Sequence, residues 1–182
     1  MEGKGEIKAN VDKVLEVLRD KELKKPGNKQ KRREKIRKVL RQNFNYEEMS
    51  KRALAVHWKK RTPVEKKGFI SLFRDLLERS YIKRIEEYTD ENVVYAAESI
   101  DGDYAEVKTK IITERKVEIP INYRLLKSST KWKVYDVVIE GISLIKNYRT
   151  QFNKIIRSKS FEALIKRMKN KQEEEESLEQ IQ

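Results

Sequence analysis

The apolar residues of this chain change period twice, and that limits what it can fold into. Up to about residue 88 they recur at helical spacing. Between 92 and 140 they alternate, and from 144 onward they are helical again. Ile7, Val11, Val14, Leu15 and Leu18 mark one face of a helix over roughly residues 6–24, broken at Pro26-Gly27-Asn28. A second helix carries a thin stripe of Ile36, Val39 and Leu40. A third runs from Tyr46 to about Lys60, opened by Asn45 with Glu48 three residues on. Thr62-Pro63-Val64-Glu65 is the clearest start signal: Thr62 can cap, Pro63 suits the first helical position, and Glu65 can reach back to the cap nitrogen. The helix it opens is expected to reach about Tyr88, roughly 39 Å at 1.5 Å per residue. Phe69, Leu72, Phe73, Leu76, Leu77, Tyr81, Ile82 and Ile85 form its broad apolar face.

The alternating part reads as four strands. Residues 92–98 form the first, and Asp101-Gly102-Asp103 a turn. Residues 104–113 form the second, with Ala105, Val107, Thr109 and Ile111 on one face. Val117, Ile119, Ile121, Tyr123 and Leu125 mark the third, where Pro120 suits an edge or a bulge. Residues 132–140 form the fourth, apolar on both faces near Val137-Val138-Ile139, and Gly141 allows a sharp turn after it. Short connections between sequential strands predict an antiparallel meander. Tyr148, Phe152, Ile155 and Ile156, then Phe161, Leu164, Ile165 and Met168, give the closing helical faces. The expected class is α+β: a four-stranded antiparallel meander sheet packed against a long helix and several flanking helices.

Composition excludes several chemistries. Among 182 residues there is no cysteine, so thiol nucleophiles, disulfides and thiolate metal sites are ruled out. His57 is the only histidine, which rules out a multi-histidine metal centre. No apolar run approaches the ~20 residues of a membrane span, and Met1-Glu2-Gly3-Lys4-Gly5 leads into a polar helix pattern rather than an export signal. The formal net charge is +13, unevenly placed. Residues 19–41 hold twelve basic side chains against three acidic ones, a local charge of +9, whereas residues 173–182 hold five glutamates and no basic residue. One domain over 1–171 is expected, followed by an acidic tail over 172–182 that is a frayed helix or disordered.

Catalytic constellations fail on geometry. Asp136 and Glu140, four apart on one strand, would lie about 13 Å from each other, beyond the roughly 5–9.5 Å of glycosidase carboxylate pairs. They read as structural. His57 has no identifiable partner, and no phosphate loop or dinucleotide fingerprint is present. An enzyme would have to use His57 or Asp136 in a cavity; the expectation is no enzyme. The basic segment suits phosphate, and a basic nucleic-acid-binding module is the alternative reading. Yet no aromatic residue lies between Arg19 and Arg41 to stack on a base. A solvated face, or a docking face for an acidic partner or an anionic membrane surface, fits better. The large apolar side chains of the long helix and the sheet could fill a core or line a cavity; periodicity does not separate the two.

Specific motifs carry a resemblance. Asn43-Phe44-Asn45-Tyr46-Glu47-Glu48-Met49-Ser50 and His57-Trp58-Lys59-Lys60-Arg61-Thr62-Pro63 are followed by Phe69, Phe73, Leu76, Leu77, Tyr81 and Tyr88. Then come the block from Trp132-Lys133-Val134-Tyr135-Asp136 through Glu140-Gly141-Ile142-Ser143-Leu144-Ile145, and Asn147-Tyr148-Arg149-Thr150-Gln151-Phe152. Over about residues 6–170 the pattern resembles the MlaC family, also called the toluene-tolerance or ABC-transporter auxiliary family.

The resemblance implies a soluble periplasmic phospholipid carrier. It would shuttle lipid between an outer-membrane lipoprotein–porin complex and the MCE-domain subunit of an inner-membrane ABC transporter, maintaining outer-membrane lipid asymmetry. It implies no cofactor beyond phospholipid cargo, no nucleic acid, and membrane contact only through partners. Two acyl chains of about 15 methylenes each, at roughly 0.8 kcal/mol per methylene, cost on the order of 24 kcal/mol to expose to water. A hydrophobic cavity of about 800–1,000 Å³ is then expected between sheet and long helix. Phe69, Phe73, Leu76, Leu77 and Tyr81 are the expected helix wall, and Val107, Ile119, Ile121 and Tyr123 the sheet wall. Val137, Ile139, Tyr148 and Phe152 are expected to close the far end. A headgroup phosphate is expected near Lys146, Arg149 or Arg124.

Overall fold

The Thr62–Glu65 signature folds as read. Glu65 N–H donates to Thr62 Oγ1 at 3.1 Å, and Thr62 N–H donates to Glu65 Oε1 at 2.9 Å, closing both sides of the cap. The helix it opens, α4, spans Pro63–Glu87 in a computed structural model that describes residues 2–87 and 92–181. Tyr88, the expected helix end and part of the resemblance, lies outside the described residues. The other helices are α1 (Glu2–Arg19), α2 (Lys29–Asn43), α3 (Tyr46–Leu54), α5 (Leu144–Ser158) and α6 (Phe161–Ile181). Beyond Leu54 the expected third helix tightens into a 3₁₀ segment, Ala55–Lys60, with Ala55 at φ 50°.

The strands are β1 (Asn92–Asp101), β2 (Tyr104–Ile112), β3 (Glu118–Ser128), β4 (Lys131–Ile139) and β5 (Ile142–Ser143), antiparallel in the order β1-β2-β3-β4-β5. The class is α+β as expected, with a five-stranded sheet rather than four. The fifth strand arises because Glu140 and Gly141 both take positive φ, 51° and 82°. That is the backbone of a two-residue hairpin turn, and it returns Ile142 beside Ile139. Glu140 is therefore a turn residue, not the end of a strand face shared with Asp136. Pro120 lies in an inner strand, yet its ladder position is benign. It pairs with Lys110 on one side, while the β4 register begins one residue later at Ile121↔Ile139; its carbonyl accepts from Glu140 N–H at 3.0 Å.

The chain divides into two compact units interleaved in sequence: Met1–Asn45 with Tyr81–Leu144, and Tyr46–Ser80 with Ile145–Gln182. In the first, Ile7 of α1 joins Ala105, Val107, Leu125, Trp132 and Val134 of the sheet, with Val11, Phe44, Tyr95, Tyr123 and Val137 packed around them. Further along α1, Leu18 meets Ile36 and Ile82, flanked by Val14, Leu15, Val17, Leu40 and Ile85. Beside that cluster Glu86 binds two arginines of the basic segment: Arg33 Nε donates to Glu86 Oε1 at 3.0 Å, and Arg32 pairs with Glu86 Oε2. The side chains of Arg33 and Glu86 are only 6% and 12% exposed.

In the second unit, Tyr46 O–H donates to Glu78 at 3.1 Å, and Arg149 Nε donates to the Arg52 carbonyl at 2.8 Å near the end of α3. Ser160 caps α6 through Ala163 N–H at 3.0 Å. The segment after Lys171, expected as a frayed helix or a disordered tail, is helical through Ile181. Its polar side chains have partners on α4: Gln172 donates to Asp75 at 3.1 Å, and Arg79 donates to Glu176 at 2.9 Å.

Three stability predictions follow from these contacts. Thr62→Ala removes the cap and should cost about 1 kcal/mol in urea unfolding. The reciprocal bond from Thr62 N–H, aided by the charge of Arg61, outweighs desolvation and lowers the Glu65 carboxyl below its ordinary range. The contribution of that bond is present above the ordinary glutamate range and lost as pH falls through the lowered value. Glu86→Ala strips the carboxylate from buried Arg33 and should cost on the order of 3 kcal/mol; a loss under about 1 kcal/mol would show the pair to be solvent-screened. Asp136→Ala, at a residue 4% exposed, should cost about 2 kcal/mol by orphaning its donors, read by the same urea titration.

Candidate apolar site on the sheet

The sheet offers one face made almost wholly of hydrocarbon. The β2–β3 register pairs Ala105 with Leu125, Val107 with Tyr123, Thr109 with Ile121 and Ile111 with Ile119. Directly opposed residues share a face, so these eight lie on one side. In β4, Ile139 and Val137 pair with Ile121 and Tyr123, but Leu125 pairs with Val134, because a bulge leaves Tyr135 as the extra residue. The bulge reverses the alternation. Trp132 and Val134 on one side of it, and Val137 and Ile139 on the other, therefore join the same face. A similar irregularity in β1, between Tyr95 and Ala97, puts Val93, Tyr95, Glu98 and Ile100 there as well.

The four expected sheet-wall residues, Val107, Ile119, Ile121 and Tyr123, share one surface in the first unit with Val137 and Ile139, two of the residues expected at the far end. Val107, Tyr123 and Val137 belong to the part packed with Ile7 and Val11 of α1. Ile111, Ile119, Ile121 and Ile139 continue the surface toward the start of β3. The face also includes Ile111, Leu125, Trp132 and Val134, which the earlier assignment of wall residues omitted. Cross-strand pairing of β2 with β3 signals the first two; the parity of β4 hides the last two until the bulge is known.

The polar groups on this face include Thr109, Tyr95 and Glu98. Thr109 Oγ1 donates to the Ile121 carbonyl at 2.7 Å. The buried Tyr95 hydroxyl has no hydrogen-bond partner among the described residues. Burial, with Asp12 and Tyr123 adding to it, raises the pKa of this phenol and keeps it neutral. The opposite face is charged. Lys110 meets Glu118 at 3.3 Å, and Arg124 lies 3.8 Å from Glu106 and 3.5 Å from Asp136. Arg124 is thereby placed on the far side of the sheet from the apolar surface, against its expected place near a headgroup. Asp136 accepts from Ser143 Oγ at 2.6 Å and from Val137 N–H at 2.8 Å, as a structural carboxylate does.

The remaining expected wall residues belong to helices. Tyr81 belongs to the first unit, half-buried, with the Arg84 guanidinium 5.7 Å from its ring centre. Phe69, Phe73, Leu76, Leu77, Tyr148 and Phe152 belong to the second. There four aromatic rings meet one another. Phe69 lies 5.6 Å from both Phe73 and Phe152, Phe73 is 5.3 Å from Tyr148 and 5.4 Å from Phe152, and most of these pairs are edge-to-face. Such packing is worth about 1 kcal/mol per pair beyond burial. Leu77 is buried and Leu76 half-buried. Of the expected phosphate contacts, Arg149 is engaged with the Arg52 carbonyl and Lys146 is exposed. His57 Nε2 is 2.8 Å from Asn153 Oδ1, a helix-to-helix tie. Among the described residues no three His, Cys, Asp or Glu side chains gather to hold a metal, and no helix is long and apolar enough to cross a membrane.

Known proteins share this architecture. A solved phospholipid-binding protein from Ralstonia solanacearum, in complex with a phospholipid, superposes with a TM-score of 0.85 at 23% identity, covering 96% of this chain and 98% of that one. The intermembrane phospholipid transport system binding protein MlaC of Haemophilus influenzae is 23% identical over 73% of this chain and 64% of its own length. The toluene tolerance protein ttg2D of Pseudomonas putida is 28% identical over 64% of this chain and 55% of its own length. The aligned parts of this chain thus span less than two thirds of either curated relative. The model of the family described as MlaC protein matches residues 8–170, and this chain belongs to that family.

Proposed function

We propose that this protein is a periplasmic phospholipid carrier and not an enzyme. It takes lipid between an outer-membrane lipoprotein–porin complex and the MCE-domain subunit of an inner-membrane ABC transporter, and so maintains outer-membrane lipid asymmetry. The observation that carries the reading is the largely apolar face of the sheet. Val107, Ile119, Ile121, Tyr123, Val137 and Ile139 form the surface assigned to hydrocarbon. Family membership supports the cargo class, and so does the name of the Haemophilus relative. The Ralstonia protein, similar in fold, was solved with a phospholipid bound.

An aliphatic sheet face suits such cargo because hydrocarbon needs no directional partner. It needs only water kept away from each methylene. On this face the Thr109 hydroxyl is closed on the Ile121 carbonyl, which removes one group that competes for water. The aromatic cluster of Phe69, Phe73, Tyr148 and Phe152 is assigned a supporting part, as the core that holds α4 and α5 together. Headgroup recognition is then weak, since Arg124 is turned away and paired.

Organic extracts of the purified protein, read by mass spectrometry, should contain phospholipid at close to one per chain, and stripped protein should take it up from vesicles. An empty extract together with no uptake would overturn the reading. Ile119→Glu, a half-buried position on the apolar face, should lower uptake at least about tenfold through the cost of placing a carboxylate against acyl chains. Lys108→Glu, on the opposite face, should leave uptake unchanged, with both variants checked for fold by circular dichroism.

A further inference from the structure

The basic segment is not absorbed by the carrier reading. Helix α2 has two distinct faces. One is fixed: Ile36 is fully buried with Leu18 and Ile82, and Arg33 is held by Glu86. The other is exposed and holds Lys31, Lys35 and Lys38 at i, i+4 and i+7, with Glu34 the one acid among them. This spacing sets the three ammonium groups in a row about 10 Å long. Lys21 and Lys24, exposed in the connection before α2, add to the same segment. Because the inner face is pinned, the row is directed outward by packing.

We propose that this lysine row docks the protein directly on an anionic bilayer surface. Protein interfaces concentrate their energy in buried aromatic, aliphatic or arginine anchors. The exposed face of α2 carries no apolar or aromatic side chain at all. Base-stacking nucleic-acid sites need rings, and residues 19–41 have none. What such a face fits is a laterally uniform negative surface that demands charge but no shape complementarity. Lysine ammoniums supply that as strongly hydrated point charges on flexible stems. The family resemblance implies membrane contact only through partner proteins; the lysine row gives the chain a contact of its own.

Sedimentation of intact vesicles tests this apart from cargo uptake. With about 30% phosphatidylglycerol in phosphatidylcholine at low salt, the full chain should co-sediment; with phosphatidylcholine alone it should stay in solution. Binding should fall steeply as salt is raised. Each lysine near an anionic surface is worth about fivefold in partitioning, so K31E/K35E/K38E should weaken binding about 100-fold or more. The matched variant K154E/K166E/K169E, which alters exposed lysines of α5 and α6 with the same change in net charge, should retain most of it. No binding of the unaltered chain to anionic vesicles would overturn the proposal, and so would equal losses in the two variants. Binding to duplex DNA without binding to vesicles would assign the row to nucleic acid instead and likewise overturn it.

Discussion

One extra residue in β4 determines what the sheet can do. With strict alternation, Trp132, Val134, Asp136 and Val138 would share a side, placing a carboxylate among aliphatic groups and turning Val137 and Ile139 away. The bulge at Tyr135 exchanges the parity midway. Asp136 then falls on the charged face opposite Arg124, and Val137 and Ile139 join Trp132 and Val134. A buried carboxylate without partners would be costly. Here it takes the N–H of Val137, next to the irregularity, and the hydroxyl of Ser143 on the neighbouring strand. The acid that reads as structural in the sequence is thus a pin for register. Its hydrogen bonds and the continuity of the hydrocarbon surface are two consequences of the same backbone irregularity.

The apolar side chains are used in two different ways. In the second unit the rings of Phe69, Phe73, Phe152 and Tyr148 are satisfied by each other, and Phe69 and Phe73 have no exposed surface. On the sheet the residues are mostly β-branched, stiff at χ1 and spaced by the ladder, with Ile7, Val11 and Phe44 packed on part of them. A lean composition, 37% hydrophobic, leaves little surplus. The second unit thus has an aromatic core, and the sheet of the first unit a flat, mostly aliphatic face.

Much of this was legible from residues alone. The switch from helical to alternating period located every long strand to within a few residues, and the Thr62–Glu65 signature located the start of α4, because those signals are local. What was not legible depends on pairs distant in sequence. The face choice in β4 needed its register against β3. The fifth strand needed two successive positive-φ residues, and glutamate at the first of them gives no cue. The acidic segment after Lys171 read as a frayed helix or a disordered tail because it is polar and repetitive. It is helical because Asp75 and Arg79, nearly a hundred residues earlier, provide partners for Gln172 and Glu176. The basic run read as one solvated block, yet Arg32 and Arg33 are tied to Glu86, leaving the outward lysines as a distinct set.

That division within α2 connects the two surfaces of the first unit. The helix ends where Phe44 leaves helical geometry and its N–H bonds the Leu40 carbonyl; Asn45 N–H then donates to the Val134 carbonyl at 2.8 Å. Phe44 itself packs in the cluster that includes Val107, Tyr123 and Val137. The helix carrying the lysine row is therefore anchored at its C-terminal end to the same strand that bears the parity change. A charged element loosely tethered to the sheet could bind an anionic surface without orienting anything else. One seated through Phe44 and Val134 holds the aliphatic face at a fixed attitude to the row. In a carrier, that coupling would turn a non-directional electrostatic attraction into a defined approach of the hydrocarbon surface toward its source.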